Sequence, residues 1–130
     1  MSGLTATVNA AAAITAGLRL HRLRLKDERT MQDDVGDWLA AHGWSPQREF
    51  QLSGRGGRID FACGPFSDRL FVGLELKLKG RKRALVDQLL RYSESPELGA
   101  LIVVSSLRVA LPPAMDGTPL YYVSPGLAHL

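Results

Sequence analysis

Gly57-Arg58-Ile59-Asp60-Phe61, then Gly73-Leu74-Glu75-Leu76-Lys77-Leu78-Lys79, then Gln88-Leu89-Leu90-Arg91-Tyr92 is the stretch whose reading decides the fold. Gly64-Pro65-Phe66-Ser67-Asp68, a cluster of turn formers, separates the first two segments, so they read as two antiparallel strands of one hairpin. A turn centred near Phe66 or Ser67 sets Asp60 nearly opposite Glu75. Directly opposed residues have Cα atoms only about 4.5–5.5 Å apart. Alternation puts Ile59, Phe61 and Cys63 on a core face with Val72, Leu74, Leu76 and Leu78. Arg58, Asp60, Glu75, Lys77 and Lys79 fall on the other face. Two carboxylates held that close raise one pKa unless a cation sits between them, and a divalent metal meets that need.

An exposed cross-strand pair neutralised by Arg58 and Lys77 is the plainer account of Asp60 and Glu75. Against it, Phe61, Leu74, Leu76 and Leu78 make this hairpin one of the most apolar parts of the chain, and charges set so close to a core usually have a task.

The arrangement resembles the PD-(D/E)XK nuclease superfamily, the restriction-endonuclease-like fold, whose signature is an Asp, a variable gap and then Glu-x-Lys. Asp60 stands as the first acid, Ile59 where the family often has Pro, and Glu75-Leu76-Lys77 as the Glu-x-Lys element. Gln88-Leu89-Leu90-Arg91-Tyr92 is similar to the Gln-x-x-x-Tyr helical motif that follows the catalytic strand in RecB-type exonucleases. The resemblance covers roughly residues 27–123. It implies an α/β fold with a central mixed sheet flanked by helices, in the order αβββαβ, and metal-dependent hydrolysis of phosphodiester bonds in DNA. Asp60, Glu75 and the backbone carbonyl of Leu76 would hold Mg²⁺ or Mn²⁺, with Glu28 or Glu49 as a further ligand. Lys77 would orient the attacking water or stabilise charge on the phosphate, while Gln88 holds the site or substrate with Tyr92 supporting it.

At 130 residues the chain is long enough for one domain. Residues 27–130 form that domain, and 1–26 are an N-terminal segment, either helix or tail, followed by a short strand in the alternating 18–25 region. A net charge of +3 and a pI near 9.4 are compatible with a polyanionic partner. The single cysteine, Cys63, reads as a buried structural thiol suited to a reducing cytoplasm. His21, His42 and His129 are too scattered for a zinc site. The apolar segment 10–16 is too short to span a bilayer and has no basic residue before it, so neither a membrane helix nor a signal peptide is expected.

A helix is expected from about Asp27, with Asp27 or Thr30 as N-cap, to His42, stopped by Gly43. Met31, Val35, Trp38, Leu39 and His42 make its apolar stripe. The resemblance implies a further acid from a helix ahead of the hairpin, for which Glu28, near that stripe, is the candidate; the alternatives are Asp34 at the stripe's edge, or an acid in the first turn that serves only the helix dipole. Residues 44–52 read as a connection and a strand carrying Glu49, and 53–57 as a flexible turn carrying Arg55. Lys77 to Arg83 holds five cations in seven residues. Lys79, Arg81, Lys82 and Arg83, with Arg55 and Arg91, are the expected phosphate contacts. Residues 99–106 read as a strand buried on both faces, 107–115 as a short helix or a loop, and 119–123 as a last strand after an Asp116-Gly117 turn.

Little of the chain remains to read bases, so recognition is expected to be directed to DNA structure or ends, or to depend on a partner protein or a homodimer. The alternatives are an inactive DNA-binding or assembly protein on the same fold, an RNA-directed nuclease, and a structural domain whose charged hairpin is accidental.

Overall fold

The structure, a computed structural model, describes residues 4–125. In chain order these form α1 (Leu4–Leu20), α2 (Glu28–Ala41), β1 (Pro46–Gln51), β2 (Arg58–Cys63), β3 (Phe71–Lys77), α3 (Lys82–Ser93), β4 (Leu98–Ser105), β5 (Ala114–Met115) and β6 (Thr118–Val123). The sheet is mixed and six-stranded, in the order β1-β2-β3-β4-β6-β5. The pairs β1/β2, β2/β3 and β5/β6 are antiparallel, whereas β3/β4 and β4/β6 are parallel. A parallel pair needs a crossover, and α3 supplies it between β3 and β4.

Helices cover both faces of the sheet. On one, α1 and α2 bury Ile14, Leu18, Met31, Val35 and Leu39 against Phe61, Leu74, Leu76, Ile102 and Val104. On the other, Leu85, Leu89 and Tyr92 of α3 pack with Ile59, Leu101 and Val103. Strand β4 therefore sends alternate residues into two cores, and all eight of its residues are buried, as its continuous apolar run requires.

Local chemistry accounts for the ends of α2. Asp27 caps it by accepting the Thr30 N–H at 2.7 Å, and Gly43 leaves it at φ 80°. Along the stripe, Met31, Val35 and Leu39 are buried, Trp38 is partly so, and His42 is exposed and stacked on Trp38 at 4.3 Å. Asp116 and Gly117, at φ 49° and 85°, make the tight turn between β5 and β6.

Two expectations are corrected. The alternation at 18–25 is not a strand: α1 runs to Leu20, because Ala10, Ala11, Ile14 and Leu18 recur at helical spacing and bury against the sheet. This N-terminal helix belongs to the core of the same folded unit, and Asp68 in the β2–β3 connection tethers it by accepting the Thr7 N–H at 3.0 Å and the Thr7 hydroxyl at 2.6 Å. The second correction concerns the hairpin, where Ile59 does not share a face with Phe61 and Cys63, and α3 packs on the face opposite theirs. Ile59 packs with α3 while Phe61 and Cys63 pack under α1 and α2, so β2 changes face across Asp60. Glu49, between the paired positions Arg48↔Phe61 and Phe50↔Ile59, has φ 56°, which interrupts the pleat at that step. Of the two readings left open for 107–115, the loop is the one found at 107–113, and β5 follows.

Candidate active site

Paired positions between β2 and β3 run Cys63↔Val72, Ala62↔Gly73 and Phe61↔Leu74. Asp60 and Glu75 occupy the next step, where the side chain of Asp60 takes over from the backbone: its Oδ2 accepts the Leu76 N–H at 2.8 Å. Its Oδ1 accepts Nε2 of Gln32, from α2, at 2.9 Å. Glu75 is buried at 6% exposure, and its Oε1 lies 2.9 Å from the Tyr92 hydroxyl.

Burial drives both carboxyl pKa values up from the ordinary range. For Asp60 the charges of Glu49 and Glu28 add to burial, opposed by the Leu76 N–H and by Lys77. For Glu75 the charge of Asp60 adds to burial, opposed by the Tyr92 hydroxyl and again by Lys77. Such a pair is stable only when a proton or a cation offsets the second charge.

Helix α3 holds the Gln-x-x-x-Tyr pair one turn apart. Gln88 Nε2 donates to the Tyr92 oxygen at 2.7 Å, and that oxygen lies 2.9 Å from both Glu75 Oε1 and the Arg58 carbonyl. One hydroxyl proton serves one of those two acceptors at a time. Burial and the Glu75 charge push the Tyr92 pKa above its usual value, so its hydroxyl stays protonated and able to donate. Gln88 and Tyr92 thus act on the site through Glu75.

The two further acids are brought to the same neighbourhood. Glu28 Oε1 accepts the Leu78 N–H at 2.9 Å just past the end of β3, and Glu49 is exposed on β1. Asp34, the alternative to Glu28, is engaged instead with Arg24 at 2.7 Å. Leu76 enters through its N–H, while the role expected of its carbonyl rests on the resemblance alone. Among the described residues no three of His, Cys, Asp or Glu are grouped as a metal cage. The donor set is two carboxylates, which suits a hard cation such as Mg²⁺ that binds through one or two carboxylates and keeps its other positions for water and phosphate.

Cations border the acids. Lys77 is half-buried at the end of β3 and lines a cavity of about 510 Å³ with Lys26, Lys79, Glu28 and Ser106. Lys79, Arg81, Lys82, Arg83 and Arg91 are exposed, and none of them forms an ion pair among the described residues. Arg81, Lys82 and Arg83 begin α3, which has no side-chain cap and no acid in its first turn. Cations at the positive end of a helix dipole are unfavourable, and an anion placed there relieves them. Arg55 is different: it is bonded to Glu94 at 2.8 Å and fastens its turn to the end of α3, so a phosphate there would have to share it with that carboxylate. Neither the cavity beside Lys77 nor a larger hollow, about 820 Å³ between α1 and α2, is lined by Asp60 or Glu75. Cys63 is a buried thiol pushed up to about 12, hence inert.

Sequence reasoning missed Gln32 and Arg48. The available signal was that Gln32 follows Glu28 by four residues and so shares its side of α2. Comparison with protein-family models, with curated proteins and with solved structures found no match.

Proposed function

We propose that this chain is a metal-dependent nuclease of the restriction-endonuclease-like fold that hydrolyses phosphodiester bonds in DNA. The observation that carries the reading is the pairing of the half-buried Asp60 of β2 with the buried Glu75 of β3, whose strand also carries Lys77 and runs directly into cations that form no ion pair among the described residues. The element order from α2 to β4, αβββαβ, supports the fold assignment.

Asp60 and Glu75 would hold one Mg²⁺ or Mn²⁺, with Glu28 or Glu49 within electrostatic reach for a second contact. A bound ion of this kind polarises a phosphoryl oxygen and lowers the pKa of water. Tyr92 keeps one oxygen of Glu75 fixed by donating to it. The Lys77 ammonium, whose charge acts on both Asp60 and Glu75, would stabilise negative charge growing on the phosphate. Lys26 and Lys79 in the adjoining cavity, and Arg81, Lys82 and Arg83 at the start of α3, bind the sugar-phosphate backbone, which positions the substrate without reading its bases. Such contacts favour recognition of DNA ends or structure over sequence.

The test is cleavage of labelled linear, circular and branched DNA with and without Mg²⁺ or Mn²⁺, with RNA in parallel. Asp60→Asn and Lys77→Ala are expected to remain folded and lose cation-dependent cleavage, and full activity in either rejects these roles. A DNA-binding protein that does not cut is the second reading. Binding without cleavage under every condition would select it.

A further inference from the structure

Four polar groups stand in series between the surface and the candidate site. Arg48 on β1 bonds Asp33 Oδ1 through NH1 at 2.7 Å and Gln32 Oε1 through NH2 at 2.9 Å. Gln32 in turn donates from Nε2 to Asp60 Oδ1 at 2.9 Å. The Arg48 guanidinium carbon also lies over the Phe61 ring, 5.9 Å from its centroid, within cation–π range.

The order of these groups determines what Asp60 receives. A glutamine amide can offer either an oxygen or a nitrogen, whereas a guanidinium offers donors only. Arg48 therefore takes the Gln32 oxygen and turns the nitrogen toward Asp60. With Gln32 on one oxygen and the Leu76 N–H on the other, the Asp60 carboxylate is gripped from α2 and from β3 and cannot rotate freely. Each carboxylate oxygen still keeps a lone pair for another partner. The neutrality of Gln32 matters as well. A cation in its place would compete with a metal, and an acid would add to the charges of Glu49 and Glu28 already acting on Asp60.

We propose that Gln32 and Arg48 are positioning residues that hold the Asp60 carboxylate in the orientation in which it takes a divalent cation. The inference rests on the reading of Asp60 as a metal ligand given above. Gln32 touches the ligand and Arg48 acts through Gln32, so the effect of substitution should fall off in that order. Loss of such an outer partner typically weakens metal binding by about 10- to 100-fold.

The experiment is Mn²⁺ binding to the full chain, followed by electron paramagnetic resonance, for the unsubstituted protein and for Gln32→Leu, Arg48→Met and Arg48→Lys, with folding checked by circular dichroism. Gln32→Leu is expected to lose about 10- to 100-fold in Mn²⁺ affinity. Arg48→Met should lose less, and Arg48→Lys should recover part of that loss, since an ammonium can donate to Gln32 but lacks the planar fork that spans Gln32 and Asp33. Should Gln32→Leu fail to fold, Arg48→Met decides the matter on the same criterion. Unchanged affinity in a folded variant overturns the positioning role and leaves the metal site standing. Absence of Mn²⁺ binding by the unsubstituted protein overturns the metal site and the positioning role together.

Discussion

The Tyr92 hydroxyl lies 2.9 Å from Glu75 Oε1, joining the last turns of α3 to a carboxylate buried in β3. Tyr92→Phe removes that donor, leaves the Gln88 amide without its acceptor and strips the Arg58 carbonyl of a partner. Buried polar groups left unmatched cost about 1–3 kcal/mol. Urea unfolding should therefore show a loss of that size, and a midpoint equal to that of the unsubstituted protein would mean that the hydroxyl does not serve Glu75.

Stability should depend on pH in an unusual direction. In the unfolded chain Asp60 and Glu75 titrate near their ordinary values, about 4. In the folded chain burial and mutual repulsion keep protons on them to higher pH. The folded state thus binds more protons over that interval, and the contribution of the pair to stability falls as pH rises through it. Glu75→Gln removes the largest part of the effect. The difference in urea midpoint between the variant and the unsubstituted protein should widen in favour of the variant from pH 4 toward pH 8 in metal-free buffer, and a constant difference would contradict the shift.

Ile14 is fully buried on α1. If the N-terminal helix is part of the core rather than an appendage, Ile14→Ala should cost about 2–5 kcal/mol, the range for truncating a buried isoleucine. Thermal or urea unfolding measures it. A loss below about 0.5 kcal/mol, typical of surface sites, would place α1 outside the cooperative unit.

Affinity for DNA should fall with salt, because phosphate contacts release counterions. Replacing Arg81 or Lys82 with Ala should reduce the slope of log affinity against log salt by about 1 each, uniformly across sequences. Fluorescence anisotropy on two unrelated duplexes checks both statements. Sequence-dependent losses would point to base contacts instead.

What could be read from the chain beforehand was whatever depends on neighbours in sequence. The hairpin register placing Asp60 beside Glu75 follows from the turn formers at 64–68, and Asp27 as a cap follows from its place ahead of an apolar stripe. Strand β4 announced itself by an unbroken apolar run. Helix α1 did not, because alanines contribute little to an apolar pattern, and the leucines at 18, 20, 23 and 25 imitate alternation. The partners of polar side chains were also hidden. Gln32 reaches Asp60 across 28 residues and Arg48 reaches Gln32 across 16, while Arg55 looked like any exposed cation until the fold set it beside Glu94. Ile59 went to the layer opposite Phe61 because strict alternation assumes an unbroken pleat, and β2 changes face at Asp60, across from the positive-φ Glu49.

That crossing of β2 from one layer to the other makes it a splice between the two halves of the molecule, with Asp60 at the joint. Whatever grips Asp60 stiffens both sides at once. Amide exchange on cation binding should slow in α2 and α3 alike, rather than in the nearer helix only, so that occupancy of a small polar site is felt as rigidity throughout the sheet.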